Sequence, residues 1–439
     1  MGFGVSGPAD MGRESTMSAY HPLSAEEVTG YLAGVACLQP RLAGLGELTC
    51  HEIGDGNLNL IFNVRAAGSG KGVVVVKQAL PYLRCAGEGW PLGRQRMDFE
   101  SRAMEIENRL CPGLVPELMY FDKDMSLIVM ENLDEHRIMR KGLIEGVKYP
   151  RFARHMAEFL ARSLFMTSDL YLPSDQKKAL VEYFARNAEL CKITEDFVFT
   201  NPFMESADNR WNPEIDAQVQ ALRADARLKV EIAELKDGFL ARTQALIHGD
   251  LHTGSVMLNL DDTRVIDPEF AFYGPMGFDV GALLGNLVLS CCAHEIHSAD
   301  PEARRDYQAW LLDTIRQVWD GFRQEFLRLW HDQNSGEATR PEFFAQCGGD
   351  AALRLYQRSY LRRVLKDTAG YAGCKMMRRQ LGIAHVEDME CIEDPKDRAV
   401  AESLALTIGQ RLITERHRVE TIHDMIDIVR TTIGIRSPR

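Results

Sequence analysis

Apolar positions alternate with polar ones through the first third of the chain and recur at helical spacing through the rest. Residues 48–54 and 58–65 read as two strands around the turn Gly54-Asp55-Gly56-Asn57. Val73 to Val76 is a strongly β-branched strand that runs into Lys77. Leu127-Ile128-Val129-Met130 is another buried strand, ending at Glu131. One helix, at about 94–109, follows a loop from Pro81 to Gly93. Upstream, Ser24 and Glu27 form a capping box ahead of a helical run to Cys37. From residue 150 onward helical spacing dominates, over 150–168, 174–191, 212–243, 279–295, 303–332, 341–380 and 396–434. A short β-like pair, Val256-Met257-Leu258 and Arg264-Val265-Ile266, interrupts it. Sheet first and helices second predicts an α+β fold of two lobes. The small sheet-rich lobe spans 23–133 and the large helical lobe 134–439, with a short crossing after Glu131-Asn132-Leu133. Residues 1–22 read as a disordered extension, rich in Gly, Ser and small polar residues up to Met17.

Composition narrows the function classes. A chain of 439 residues is too long for one compact core and suits two lobes. The formal net charge of −12 argues against a nucleic-acid partner, which calls for a basic surface. The ten cysteines include no CxxC pair and no zinc-ligand spacing with histidine. They read as reduced, mostly buried thiols of a cytoplasmic protein. No apolar run reaches the roughly 18 residues of a membrane span, and no signal-peptide pattern opens the chain.

The chemistry concentrates in Ile247-His248-Gly249-Asp250-Leu251-His252-Thr253-Gly254-Ser255, followed after the short hairpin by Ile266-Asp267-Pro268-Glu269-Phe270. Phosphoryl transfer needs a carboxylate to orient the attacking hydroxyl, and positive charge to stabilise the transferred group. Asp250 is the candidate for that carboxylate. Asp267 and Glu269 stand two residues apart, so in an extended segment both side chains face one way. Their hard oxygens suit joint ligation of Mg2+. Alone, a His-Gly-Asp triplet or a glycine turn between strands is weak. The whole set at this spacing is specific.

This constellation resembles the aminoglycoside and choline phosphotransferase superfamily, whose signature is HGDLHxGN, a hairpin and an acidic metal motif. Two departures are visible: Ser255 stands where the usual metal-ligating Asn would be, and the second motif is Asp-Pro-Glu. Both features resemble the 5-methylthioribose kinases. In that family the Glu of the motif is thought to help the Asp hold magnesium, so the role of Ser255 is open. Further stretches are similar to the same family, between about residues 50 and 390. They are Gly54 to Leu60, Val76 to Arg84, Trp90-Pro91-Leu92, Met130 to Arg137, Ile193 to Asp196, and Gly373 to Val386.

The resemblance implies a protein-kinase-like fold, ATP and Mg2+ as cofactors, and phosphorylation of 5-methylthioribose at its 1-hydroxyl in methionine salvage. It implies that Gly54, Asp55, Gly56 and Asn57 cover the nucleotide phosphates, where glycine lets backbone approach closely. Lys77 then reaches the α- and β-phosphates. Its carboxylate partner is Glu100, with Glu105 as the alternative. Glu131 by its C=O and Leu133 by its N–H bind adenine. Arg378 and Arg379 enter the active site, where a guanidinium stabilises the transferring phosphoryl group and the sugar phosphate. By contrast Arg362 and Arg363 read as a structural pair. Trp90 caps the cleft over the sugar or serves as a core anchor. His248 shapes the catalytic loop, and Asp279 caps its helix or braces that loop. A homodimer without nucleic-acid or membrane partners is expected. The rival readings are a kinase for choline, homoserine or an aminoglycoside, and a nucleotide-binding pseudokinase. A protein kinase ranks last, because the HRDLxxxxN and APE signatures are absent.

Overall fold

The computed structural model describes residues 20–54, 58–84 and 87–435. Asp55, Gly56, Asn57, Cys85 and most of the expected N-terminal extension therefore lie outside the described residues. The chain separates into two compact units, Met1–Glu135 and His136–Arg439.

The first unit is built on one antiparallel sheet. Its strands are β1 (Leu48–Glu52), β2 (Asn59–Ala66), β3 (Gly72–Ala79), β4 (Leu118–Asp122) and β5 (Leu127–Glu131). Their spatial order is β1-β2-β3-β5-β4. Alternation decides which residue faces which layer. Val74 and Val76 of β3 join Phe62, Val64, Leu127 and Val129 in a core closed by Val28 and Leu32 of helix Ala25–Ala33. That helix carries the expected capping box of Ser24 and Glu27. Residues of the opposite parity, Ala79 and Ile128, pack against Met97 and Met104 of helix Arg96–Leu110. Strand β4 was not expected. It is an edge strand whose five residues are all half-buried, so it shows no in-and-out alternation to read.

Two expected boundaries shift. Tyr20 and His21, assigned to the extension, are held against β3: the Tyr20 hydroxyl donates to the Ala79 carbonyl, and the Gln78 amide donates to the His21 carbonyl. At the far end, Asn132 donates to Asn63 of β2 at 2.8 Å, and Asp134 accepts from the Gly72 N–H at 2.7 Å. These bonds tie the segment after β5 into the first sheet.

The second unit is mainly helical, with two small ladders. Strands β6 (Arg137–Ile138), β8 (Val256–Leu258) and β9 (Thr263–Val265) form one, and β7 (Ala245–Ile247) pairs with β10 (Phe272–Gly274) in the other. Several long helical readings are interrupted. The 174–191 run is two helices, Ser174–Ala185 and Ala188–Phe199. The 212–243 run breaks at Asp225, whose side chain caps helix Ala226–Ala241 by accepting from the Leu228 N–H. The 396–434 run breaks between Thr414 and Ile422. At Asp225 local capping chemistry starts a new helix even though the apolar period continues.

Helix Met276–His297 forms the core of this unit. Contrary to the expectation from run length, it is long and apolar enough to cross a membrane by length and composition, and all of that apolar stretch is buried inside the protein. Gly277, Gly281 and Gly285 lie along one side, against helix Asp350–Leu381. A Cβ at Gly281 would meet the Thr368 carbonyl oxygen at 2.6 Å, and one at Gly285 the Ala372 carbonyl at 2.9 Å. The two helices therefore touch nearly backbone to backbone. The cysteines are less uniformly buried than expected: all nine described are free, but Cys37, Cys347 and Cys391 are exposed.

Candidate active site

The two ladders set two loops side by side. The loop carrying Asp250 leaves β7 and enters β8, and the loop carrying Asp267 and Glu269 leaves β9 and enters β10. Because β7 pairs with β10 and β8 with β9, the loops run together. The Ile266 N–H donates to the Ser255 carbonyl at 3.0 Å. Gly249 lies between them at φ +82°, and a Cβ there would run into the Phe270 carbonyl, so only glycine suits the position.

Each histidine of the first loop has an assigned structural task. His248 donates from Nε2 to the Ile266 carbonyl at 2.8 Å, and its Nδ1 faces the Asp250 N–H at 3.3 Å. His252 Nδ1 accepts from the backbone N–H groups of Gly254 and Ser255, at 2.9 and 3.1 Å. With Nδ1 so used, the ring hydrogen of neutral His252 sits on Nε2, which points at Asp250 Oδ2 from 3.3 Å. Burial, only partly opposed by Asp250, pushes His252 down to about 3. Asp279 braces the loop: its two carboxylate oxygens accept from the His248 and Gly249 N–H groups at 2.6 and 3.0 Å. Ser255 donates its hydroxyl to the Asp250 carbonyl at 2.9 Å, which gives it a positioning task.

The Asp250 carboxylate faces two cations and a neutral histidine. Lys375 Nζ donates to Oδ1 at 2.6 Å, and Arg378 Nη2 stands 3.5 Å from the same oxygen. Burial alone would raise the Asp250 carboxyl. Lys375, His252 and Arg378 outweigh it and hold the group well below the usual carboxylate range. Burial pulls Lys375 down to about 8 despite its bond to Asp250. The arginine pair divides. Arg378 approaches Asp250, and its buried Nε has no hydrogen-bond partner among the described residues. Arg379 donates to the Ala384 and His385 carbonyls at 3.2 and 3.4 Å, securing the chain beyond the helix end. Arg362 and Arg363 of the same helix are exposed and pair with Glu420 and Ser359.

The second acidic motif is not extended, which corrects the reading of Asp267 and Glu269. Asp267 is left-handed at φ +63°, and Pro268–Phe270 is a single 3-10 turn. The proline fixes its own φ and starts that turn. A left-handed conformation in a non-glycine residue costs about 1–2 kcal/mol and is held by its surroundings. Asn187 supplies part of the hold: its amide donates to the Glu269 and Ala271 carbonyls, at 2.9 and 3.1 Å. The two carboxylates are hard donors on a pinned loop, a donor set that fits Mg2+.

Sequence reasoning missed Lys375, Asn187 and Arg140. Lys375 lies inside the Gly373 to Val386 stretch and was overshadowed by the arginines. Arg140 ion-pairs with the buried Asp388 at 3.1 Å and donates its backbone N–H to the Thr253 carbonyl. Each of the three is separated from its partner by many residues, so no local pattern marks it.

In the first unit, Lys77 Nζ donates to Glu100 Oε1 at 2.7 Å, and both side chains are almost wholly buried. Glu105 instead pairs with Arg102 on the helix surface. One helical turn and a half separates the two glutamates, so only one faces the sheet. Gly54 immediately follows the bond from the Ile53 N–H to the Ile61 carbonyl. Glu131 ends β5, and Leu133 lies two residues beyond it, buried. Trp90 is half-buried, and its carbonyl accepts from the Leu83 N–H at 2.9 Å.

The phosphotransferase enzyme family matches residues 51–324. Methylthioribose kinase 1 of Oryza sativa subsp. japonica is 45% identical over 413 residues, covering 93% of this chain and 94% of that one. Methylthioribose kinase 2 of the same plant is 43% identical, covering 94% and 96%. The methylthioribose kinase of Escherichia coli O45:K1 (strain S88 / ExPEC) is 41% identical, covering 94% and 98%. With the phosphotransferase match spanning both loops, and these relatives matching nearly end to end, the chain belongs to the methylthioribose kinases of the phosphotransferase enzyme family.

Proposed function

We propose that the chain transfers the γ-phosphoryl group of ATP to the 1-hydroxyl of 5-methylthioribose, giving 5-methylthioribose 1-phosphate and ADP in methionine salvage. The observation that carries this reading is the half-buried Asp250 carboxylate, bonded by Lys375 at 2.6 Å and approached by His252 and Arg378, in a chain so similar to methylthioribose kinases. Asp250 accepts the hydroxyl proton while the sugar oxygen bonds to phosphorus and the bond to the ADP oxygen breaks. Arg378, with its unpartnered Nε, meets the charge on the transferring group. Lys77, oriented by Glu100, takes the α- and β-phosphates, and Gly54, Asp55, Gly56 and Asn57 are the residues proposed to cover them. Glu131 and Leu133 hold adenine through backbone groups. Asp267 and Glu269 hold Mg2+, which neutralises phosphate charge when bound. Trp90 belongs to the sugar side, and Arg379 acts by fixing the backbone beside Arg378.

A cationic alcohol such as choline fits less well. Lys375, Arg378, Arg379 and Arg140 gather where its positive charge would have to sit. The reading also carries a cytoplasmic homodimer without nucleic-acid or membrane partners. The free thiols, the net charge of −12 and the burial of helix Met276–His297 support parts of it. Sedimentation velocity tests the dimer.

The direct test is ADP release with Mg·ATP and a panel of 5-methylthioribose, ribose, choline, homoserine and kanamycin. Turnover confined to 5-methylthioribose is expected. Asp250→Asn, which removes charge but little volume, should lower kcat by about 10²–10⁴-fold. Turnover of another member, or undiminished activity in the variant, overturns the reading.

A further inference from the structure

We infer that Lys375 is a positioning residue for Asp250: it holds the carboxylate in place and charged, and so leaves Arg378 free for the phosphoryl group. The inference rests on the proposed role of Asp250.

Three donors converge on this carboxylate, and they are not equivalent. Lys375 makes the short bond, at 2.6 Å to Oδ1. Arg378 stands at 3.5 Å, the outer limit for a hydrogen bond, and keeps a buried, unpartnered Nε. His252 faces Oδ2 at 3.3 Å and is neutral near pH 7, because burial lowers it to about 3 and its Nδ1 accepts from backbone N–H groups. Lys375 is therefore the one cation firmly bound to Asp250. The lysine itself is buried, and its Nζ lies 5.0 Å from the centre of the Phe278 ring. An unpaired ammonium there would be costly, so its partner is structurally obligatory.

Removal of Lys375 leaves Asp250 with one nearby cation, Arg378. The guanidinium would close on Oδ1 and be lost to the phosphoryl group. The carboxyl would also become easier to protonate, since burial is the largest influence on it and raises its pKa. The other groups facing this site are Arg140, Arg379, His248 and Asp279. Arg379 is anchored on carbonyls, Arg140 on Asp388, and Asp279 on backbone N–H groups. None of them replaces the lysine.

The test compares wild type with Lys375→Met, Lys375→Gln and Lys375→Arg. For Lys375→Met, the acid limb of kcat/KM for methylthioribose should rise by about 1–3 pH units, the effect of losing one adjacent opposite charge. KM for ATP should change little. Lys375→Arg retains the charge and should keep the limb low. Lys375→Gln provides the same comparison if the methionine variant does not fold. A Lys375→Met profile superimposable on wild type overturns the inference, as does an arginine variant shifted as far as the methionine one. A second readout needs no substrate. An infrared titration of the Asp250 carboxyl, taken as the difference between proteins with and without Asp250→Asn, should move up in the Lys375→Met background. No shift there overturns the inference whatever alcohol is phosphorylated. Failure of wild type to turn over methylthioribose counts against the proposed function alone.

Discussion

Ser255 is one of the two places at which this chain leaves the motif pattern, and its geometry shows why a small hydroxyl is acceptable there. It bonds the carbonyl of Asp250 itself, so it shapes the loop from behind. Ser255→Ala should then cost about 1 kcal/mol of stability, the typical value of one such bond. Its activity should remain within about tenfold of wild type, and its dependence on magnesium concentration should be unaltered. Thermal melting and a magnesium titration of turnover check this. A large rise in the magnesium requirement would reassign the hydroxyl to the metal. Lys77 and Glu100 make a complementary case. The lysine was legible as a strand-end charge after four valines, and the choice between Glu100 and Glu105 was settled by which side of the helix meets the sheet.

Helix Asp350–Leu381 carries Lys375, Arg378 and Arg379, and its position depends on the glycines of helix Met276–His297. Gly281→Val should be strongly disruptive, because its branched side chain must displace the backbone at Thr368 and Ala372. Overpacking of this kind costs about 1–3 kcal/mol. The same displacement acts about one to three turns from Lys375 and Arg378, so kcat should fall along with Tm. Gly30→Ala is the control. A Cβ at Gly30 meets nothing within 4 Å, and the position lies in a helix. It should be neutral or stabilising by up to about 1 kcal/mol. Melting curves and kcat of the two variants separate a packing constraint from a general intolerance of larger residues. At this scale, the helical periods were readable and their interruptions were not. Asp225 and Asn187 act through specific bonds that leave the apolar spacing unchanged.

Across the whole molecule, buried histidines couple stability to pH. Burial lowers His294 from 6.5 to about 4, although its Nε2 bonds the Leu143 carbonyl. The unfolded chain therefore binds protons at this group that the folded protein refuses. Its contribution is fully present above about pH 6.5 and declines as pH falls towards 4. His252 acts in the same direction, over a window reaching down to about 3. Denaturant unfolding between about pH 7.5 and 4.5 should show a shallower acid decline in His294→Gln than in wild type. The difference between the two proteins isolates this group from Asp279 and Asp388, whose burial-raised carboxyls act oppositely. Equal slopes would contradict the assignment of a neutral buried imidazole.

Sequence alone disclosed the class of fold and the candidate reacting groups, because both are written in local patterns. A β-branched run ending in Lys77, a glycine before Asp250, and an acidic pair after a hairpin keep their meaning without knowledge of the rest of the chain. Three-dimensional packing supplied the relations between distant residues. It brought Lys375 to Asp250 across 125 positions, turned Arg379 away from the carboxylate towards backbone carbonyls, and placed Asp267 in a left-handed turn where an extended segment was expected. The physical reason is the range of the forces involved. Helix and strand preferences act over a few residues, whereas a buried charge is stabilised by whichever opposite charge the fold brings within hydrogen-bonding distance.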